Sequence, residues 1–258
     1  MKGIYHAVTA AFSLFSALPM PQRPWGKDWA RGVLCAFPLV GGAVAAAVAL
    51  WLWLCARLGL GGLLPAAGAT LLPILVTGGI HLDGFCDTCD ALKCNRDLSY
   101  RQAVLADPHA GAFAIIGLGC YLLLTVALWS ALEVDGESLT ALALGYGVSR
   151  ALSARAATAF PPARGEGLLF SLAAGCGRRG RAGLGLTALA LMAGQAALGG
   201  PAGLSCAAAA AGCYAYYKYR LSPRFGGVSG DLAGWFLSVC ECAMLAAAVL
   251  VQKGGEWL

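Results

Sequence analysis

Seven long apolar runs are the most constraining feature of this sequence. They lie at about 33–56, 61–80, 111–132, 139–160, 183–200, 203–219 and 232–251. A helix needs roughly 20 apolar residues to cross a bilayer, and backbone polar groups in lipid must be satisfied within the spanning structure. The runs therefore predict an all-α fold, a polytopic integral membrane helical bundle of about seven transmembrane helices. No repeat or linker divides the chain, so we expect a single membrane-embedded domain over residues 1–258.

The composition and the N-terminal segment agree with this class. Hydrophobic residues make up 59% of the 258 residues and charged residues only 12%, and the mean hydropathy is +0.71, outside the range of ordinary soluble domains. Residues 4–18 are too short to span and are followed by Pro19 and Pro21. We expect an interfacial or re-entrant helix there.

Basic residues fall in alternate loops between the predicted spans. One set of loops contains Lys93, Arg96 and Arg101, then the basic residues of 164–181 and of 218–224, whereas residues 133–137 are acidic. Short cytoplasmic loops collect Lys and Arg, which predicts that the N-terminus and these basic loops face the cytoplasm from the cell (inner) membrane. The net charge of +5 then reflects topology and anionic lipid rather than nucleic acid.

One polar stretch, GGIHLDGFCDTCDALKCNRD at 78–97, separates two apolar runs. Asp83, Asp87 and Asp90 are spaced by four and three residues, so on a helix they share one face. Like charges so placed repel unless a cation lies among them, and magnesium takes a few carboxylates together with water and phosphate oxygens. The glycines at 78, 79 and 84 allow close backbone approach. A solvated loop and an ion path in a transporter are the alternatives.

A second set of polar residues lies on the same predicted side. Asp107 and His109 precede the third span, and the loop RFGGVSGD places Gly227, Ser229 and Asp231 before the seventh. Small residues expose backbone N–H groups to phosphate, although such a loop also serves as a plain turn. Candidate guanidinium groups for phosphate come from three positions, each of which could instead anchor the chain to lipid: Arg150, Arg155 and Arg164.

Eleven cysteines are scattered mostly through the apolar runs. His81, Cys86, Cys89 and Cys94 crowd the acidic stretch, but they lack the paired Cys-x-x-Cys spacing of structural zinc sites. We interpret the cysteines as small buried hydrophobic residues and assign no metal to sulfur.

Several segments together resemble one known family, cobalamin-5′-phosphate synthase, also called adenosylcobinamide-GDP ribazoletransferase. The resemblance runs nearly end to end, and its most specific part is the Gly-Gly-x-His-x-Asp-Gly-x-x-Asp-x-x-Asp pattern at 78–90. The matching segments are FSLFSALPMP, FPLVGG, TGGIHLDGFCDTCDAL, DPHAGAFAIIGL, FPPARGEGL and GGVSGDLAGWFLSVCE.

The resemblance implies a magnesium-dependent membrane transferase of late cobalamin (vitamin B12) biosynthesis. Its substrates would be adenosylcobinamide-GDP and α-ribazole or α-ribazole 5′-phosphate, and GMP would be released. Mg²⁺ would be held by Asp83, Asp87 and Asp90, with one of these carboxylates, or else His81, as proton acceptor. The predicted substrate contacts are Asp107, Arg150, Arg164, Glu166, Gly227, Ser229 and Asp231. Further partners that it allows are the lipid bilayer, other cobalamin-assembly enzymes and a second copy of the chain.

Two rival classes share parts of this pattern. A CDP-alcohol phosphotransferase or an aspartate-rich prenyltransferase would use the same metal chemistry, but the sequence lacks the Asp-Gly-x-x-Ala-Arg element of the former and the second Asp-rich motif of the latter. A transporter would carry acidic residues at the midplane of several spans, whereas these acids lie at span ends on one side.

Overall fold

The computed structural model describes residues 2–21, 29–94 and 96–255, and its regular elements are helices. Within those ranges, extended backbone pairs in a single isolated bridge, between Pro162 and Val228, so the all-α prediction is confirmed. The α-helices are α1 (Lys2–Phe15), α2 (Val33–Leu58), α3 (Leu64–Thr77), α4 (Ile80–Lys93), α5 (Leu98–Val104), α6 (Ala112–Ala131), α7 (Gly136–Ala159), α8 (Leu168–Gly175), α9 (Arg178–Leu198), α10 (Gly200–Tyr216) and α11 (Gly230–Gly255). A π-helical turn (Tyr217–Leu221) and a 3₁₀ turn (Ser222–Phe225) follow α10.

Helices form at all seven predicted spans. Among the described residues, α2, α6, α9 and α11 are each long and apolar enough to cross a membrane, and the bent pair α3 and α4 makes a fifth candidate. Helix α10, with 17 residues, is too short to count as a span by itself. Helix α7 is long enough, but Arg150 and Arg155 make it less apolar than a typical spanning helix. The protein therefore has the architecture of a polytopic helical membrane protein, with four or five spans by these criteria.

Helix α7 forms the centre of the bundle and packs against α2, α9, α10 and α11. Its middle turns are almost wholly buried, including the side chain of Arg150. Gly41 of α2 allows a close approach to α7, because a Cβ atom there would overlap the backbone of Tyr146. Helix α6 lies at the periphery and exposes Ile115, Leu123 and Leu124, as expected for a surface that faces lipid.

The N-terminal helix forms as the sequence predicts. Ala7, Ala11 and Phe15 of α1 are buried in a small hydrophobic cluster with residues of α2, including Phe37. Ile4, one turn before Ala7 at the start of the helix, is exposed. The helix itself is confirmed, and its placement at the membrane interface stays a prediction.

A sharp break divides the second predicted span. Gly78 and Gly79 have φ angles of +66° and +79°. Such positive values favour glycine, because glycine has no Cβ atom to clash with the backbone. Helix α3 ends at Thr77 and α4 starts at Ile80, with a bend of 97° between them. The acidic helix α4 therefore leaves the direction of α3 and runs against other helices of the bundle.

Helix α4 crosses α11 at very short range. A Cβ atom on Gly84 would come within 2.7 Å of the Asp231 Cα atom, and one on Gly234 would come within 2.6 Å of the His81 carbonyl oxygen. Only glycine fits at both points, since real Cβ contacts are essentially never this short. The crossing brings the first turn of α11 beside the first turn of α4.

The loops predicted to share a side lie at one end of the bundle. Arg101 Nη1 donates to the Arg224 carbonyl at 2.6 Å, and Arg164 Nη2 donates to the Gln102 carbonyl at 2.8 Å. The acidic loop after α6 lies at the opposite end, where Gln252 Nε2 donates to the Glu133 carbonyl at 2.7 Å. Helix α11, with 26 residues, separates the two ends by about 39 Å at 1.5 Å per residue.

The crossing predicts a large effect of one methyl group. We expect Gly84→Ala to lower stability by roughly 1–3 kcal/mol, because the added Cβ must push α11 away. Gly212→Ala in α10 is the matched control, since a Cβ there meets no atom within 4 Å and alanine is the better helix former by about 1 kcal/mol. Thermal unfolding in detergent measures both, and an unchanged midpoint for Gly84→Ala would contradict the close crossing.

Candidate active site

A cavity of about 330 Å³ opens where α4, α7, α8 and α11 meet the loops at the basic end of the bundle. Its walls combine predicted site residues with apolar side chains. The predicted residues that line it are His81, Asp83, Arg164, Glu166, Ser229 and Asp231. The structure thus gathers, at one cavity, polar groups from three separate parts of the sequence.

The two aspartates that line the cavity lie at helix starts. Asp83 lies in the first turn of α4 and Asp231 in the first turn of α11, and the Gly84 contact holds these turns together. Asp87, one helical turn after Asp83, interacts electrostatically with Asp83, Asp231 and Asp90. Three carboxylates from two helices are therefore close enough to interact electrostatically, and one of them, Asp231, comes from a segment far from α4 in the sequence.

Asp90 has a different environment from the other acidic residues of α4. Its Oδ2 accepts a hydrogen bond from the Gly111 N–H at 2.7 Å and its Oδ1 accepts one from the Ala114 N–H at 3.0 Å. These donors belong to the first turn of α6, whose N–H groups have no intrahelical acceptor. Asp90 therefore fixes the N-terminus of α6 against α4, a structural role that the spacing of the acidic residues did not predict.

Ser229, not Asp231, caps α11. The Leu232 N–H donates to Ser229 Oγ at 3.2 Å, the usual bond of an N-cap hydroxyl. Asp231 accepts a hydrogen bond from the same hydroxyl at 3.4 Å and lines the cavity. The Asp231 carboxylate is thus left to face whatever binds there.

Two loops are joined beside the cavity. The Val228 N–H donates to the Pro161 carbonyl at 2.8 Å, and the Ala163 N–H donates to the Val228 carbonyl at 2.9 Å. Gly227 makes this possible, because its φ of +145° favours glycine and a Cβ atom would overlap the backbone of Pro161. Gly227 thus shapes the loop, and the joined loops present Arg164 and Glu166 to the cavity.

Arg150 lies in the bundle interior rather than among the residues that line this cavity. Its Nη1 atom pairs with Glu241 of α11 and donates to the Tyr146 carbonyl at 3.1 Å and to Ser149 Oγ at 3.0 Å. Breaking a buried ion pair leaves an uncompensated charge, so this network stabilises the packing of α7 on α11. The structure gives Arg150 a place in the bundle core where the sequence predicted a substrate contact.

His81 lines the cavity, yet its Nε2 atom is inaccessible and has no hydrogen-bond partner among the described residues. Its ring packs against Phe37, with centroids 5.7 Å apart. The ring is therefore held by packing, and its Nε2 atom is turned away from solvent.

Asp107 lies outside the cavity walls. Its Oδ1 accepts hydrogen bonds from the His109 backbone N–H at 2.9 Å and pairs with the His109 ring at 2.8 Å. These bonds hold the pKa of Asp107 below its ordinary value. Both side chains are exposed in the loop before α6, so any contact with substrate would be at the rim.

The carboxylates at the cavity suit magnesium as one or two ligands rather than as a complete cage. Among the residues that the structure describes, no three or more His, Cys, Asp and Glu side chains are close enough together to hold a metal ion. Magnesium, however, usually takes only one or two carboxylates and completes its shell with water and phosphate oxygens. Asp83, Asp87 and Asp231 form none of the ion pairs found in the described parts of the chain, so their oxygens fit such a site.

Comparison with known proteins identifies the family. The family model for cobalamin-5-phosphate synthase matches residues 7–249. The chain belongs to this family. A protein of Lachnoclostridium phytofermentans named adenosylcobinamide-GDP ribazoletransferase is 34% identical, covering 96% of each chain. Proteins of the same name from Leptothrix cholodnii and Pseudomonas entomophila are each 31% identical, covering 96% and 93% of this chain and 94% and 97% of their own. No solved structure matches.

Some residues of the site region escaped the sequence reasoning. Gln102 lines the cavity and donates to the Phe225 carbonyl at 3.0 Å, but a lone Gln in a short helix carries no signal. The role of Glu241 was predictable, because an acidic residue inside an apolar run needs a buried partner. Arg150, which also lies inside an apolar run, is that partner.

The two environments of the α4 carboxylates predict different responses to amide substitution. Asp90→Asn should lower the thermal unfolding midpoint by several degrees. Each of the Gly111 and Ala114 N–H groups donates to a different oxygen of Asp90, and in asparagine one of these oxygens is replaced by an NH₂ group that cannot accept. Asp83→Asn should leave the midpoint unchanged, because Asp83 is exposed at the cavity. Equal midpoints for the two variants in the same detergent would contradict the capping role.

Capping and cavity functions also separate at the start of α11. Ser229→Ala should cost about 0.5–2 kcal/mol of stability through loss of the cap. Asp231→Asn should keep wild-type stability and reduce turnover at least tenfold, roughly 1.4 kcal/mol in the barrier. Thermal unfolding curves and turnover rates measured on the same preparations separate the capping role from the cavity role. Wild-type turnover in Asp231→Asn would remove Asp231 from the site.

Proposed function

We propose that this chain joins adenosylcobinamide-GDP to α-ribazole or α-ribazole 5′-phosphate, giving adenosylcobalamin or its 5′-phosphate with release of GMP. Family membership over residues 7–249 and the shared name of relatives across nearly the whole chain support the reaction. The observation that carries it is the cavity in which Asp83 and Asp231 lie beside Arg164, because this is a donor set suited to phosphate chemistry.

The reaction is a substitution at phosphorus. The ribose hydroxyl of α-ribazole attacks the phosphorus linked to cobinamide, and the bond from that phosphorus to the bridging oxygen of GMP breaks. The bridging oxygen leaves with GMP, and the hydroxyl proton passes to an acceptor on the protein. Positioning and electrostatics supply most of the acceleration in such transfers.

The residues of the cavity match these needs. The Arg164 guanidinium offers a fork for phosphate oxygens, and the first N–H groups of α11 form a site that favours anions. Asp231 lies at the same helix start and is the candidate acceptor of the hydroxyl proton. His81 is the less favoured candidate, since its Nε2 atom is inaccessible.

Magnesium is part of the proposal. Asp83 and Asp87 would hold it, while Asp90 has both oxygens engaged by α6. When bound, the ion would neutralise charge that builds on the diphosphate.

We further propose that the cavity opens on the cytoplasmic side of the cell (inner) membrane. The joined loops at that end carry Arg101, Arg164 and Arg224, as positive-inside topology requires. In a cysteine-depleted background, Asp97→Cys and Ser229→Cys should be labelled from the cytoplasm and Glu137→Cys from the other face. Labelling of the first two from opposite faces would contradict the proposal.

A direct assay tests the reaction. Purified protein in lipid should release GMP from adenosylcobinamide-GDP only when α-ribazole and magnesium are both present, and Asp83→Asn should lose most of that activity. Asp97→Asn is the matched control, because Asp97 is an exposed N-cap of α5 and asparagine caps equally well. GMP release without α-ribazole, or full activity of Asp83→Asn, would contradict the proposal.

A further inference from the structure

The cavity has a polar mouth and an apolar inner end. Along α11, Asp231 lines the mouth, and Leu237 lines the cavity six residues further on, about 9 Å deeper at 1.5 Å per residue. The inner walls include Phe15, Leu34, Phe37 and Leu172, all buried. They belong to the small hydrophobic cluster of α1, α2 and α8, so the cavity reaches into that cluster.

Flat rings form one wall of this inner end. The Phe15 and Phe37 centroids are 4.4 Å apart, and the His81 ring lies 5.7 Å from Phe37 and 6.4 Å from Phe15. Aromatic side chains of this kind favour a planar aromatic ligand through offset or edge contacts. The arrangement therefore suits a ring system more than a branched aliphatic group.

The size of the cavity limits what can enter. Its volume of about 330 Å³ lies at the lower end of small-molecule pockets, enough for one nucleoside. A corrin macrocycle with its amide side chains does not fit, so the cobinamide part must stay outside the mouth. The occupant is therefore either the guanosine of one substrate or the ribazole of the other.

Polarity separates these two occupants. Guanine carries a carbonyl, an amino group, a ring N–H and a ring acceptor on its edges, and burying them against Phe, Leu and Ala side chains would leave them unpaired, which is costly. The base of α-ribazole is a dimethylated benzimidazole with one free ring nitrogen, and its methyl groups gain from apolar contact.

We infer that the apolar inner end, lined by Phe15, Leu34, Phe37, Leu172 and Leu237, binds the benzimidazole base of the nucleoside substrate. The ribose then lies toward the mouth, where Asp231 and Asp83 are, and the guanine of the other substrate stays outside this end. This inference rests on the proposed function, and it assigns one of the two substrates to one part of the cavity.

Ala157 offers a way to fill this space. It lines the cavity near the C-terminal end of α7 and is half-buried, whereas Ala159, two residues on, is exposed and is not part of the walls. Ala157→Leu adds three carbon atoms to the cavity, and Ala159→Leu adds the same atoms to the outside of the same helix.

Equilibrium binding tests the inference without requiring turnover. α-Ribazole binding to the purified protein in lipid nanodiscs, followed by benzimidazole fluorescence, should weaken at least tenfold in Ala157→Leu and less than twofold in Ala159→Leu. Free dimethylbenzimidazole should compete for the site, and guanosine should not. Equal competition by guanosine, displacement only by added lipid, absence of binding, or an unchanged Ala157→Leu affinity would each overturn it.

Kinetics separate this inference from the proposed reaction. In the GMP-release assay, Ala157→Leu should raise the KM for α-ribazole at least tenfold and leave the KM for adenosylcobinamide-GDP within twofold. A rise confined to the KM for adenosylcobinamide-GDP would overturn the assignment while leaving the transferase proposal intact. Binding of α-ribazole without GMP release would contradict the reaction and support the binding site.

Discussion

The close crossing of α4 and α11 is the contact on which the site depends. Gly84 and Gly234 remove the side chains that would hold the two helices apart, and the first turns of both helices then lie together. This brings Asp231 beside Asp83 and Asp87, although the chain separates them by well over a hundred residues. Gathering carboxylates is electrostatically unfavourable, so the arrangement makes chemical sense when a cation or a cationic side chain is bound among them.

The crossing is supported by polar contacts that lie deeper in the bundle and in the loops around it. Arg150 and Glu241 join α7 to α11 by a buried ion pair, while Asp90 holds the start of α6 against α4. At the cavity rim, the hydrogen bonds among the 101–102, 161–164 and 224–228 segments fix Arg164 in place. Each contact spans different elements, so the mouth of the cavity is built by the whole bundle rather than by one loop.

Local sequence signals predicted much of this structure. The spacing of Asp83, Asp87 and Asp90 places them on one face of a helix, and α4 contains all three. Alternating charge placed the right loops at one end of the bundle, because topology in a membrane is governed by short-range composition. The glycines at 78, 79 and 84 marked a place of unusual backbone geometry, and the structure contains both a sharp bend and a helix crossing there.

The roles that could not be predicted depend on distant partners. Asp90 looks like its neighbours in sequence, and only the Gly111 and Ala114 N–H groups distinguish it. Arg150 resembles any phosphate-binding arginine until Glu241, 91 residues away, is found beside it. The division of the cavity into a polar mouth and an apolar end likewise requires α1, α2, α7 and α8 to be placed in three dimensions.

The central claim is that carboxylates from α4 and α11 act as one site, and a double-mutant cycle tests it most directly. Residues that act as a unit are strongly non-additive, so Asp83→Asn combined with Asp231→Asn should lower kcat/KM for GMP release little further than the more damaging single substitution. If the fold reductions in kcat/KM of the two single substitutions instead multiplied in the double variant, their free-energy changes would add as those of independent sites do. In that case the two helices would not share a site, and the account would be contradicted.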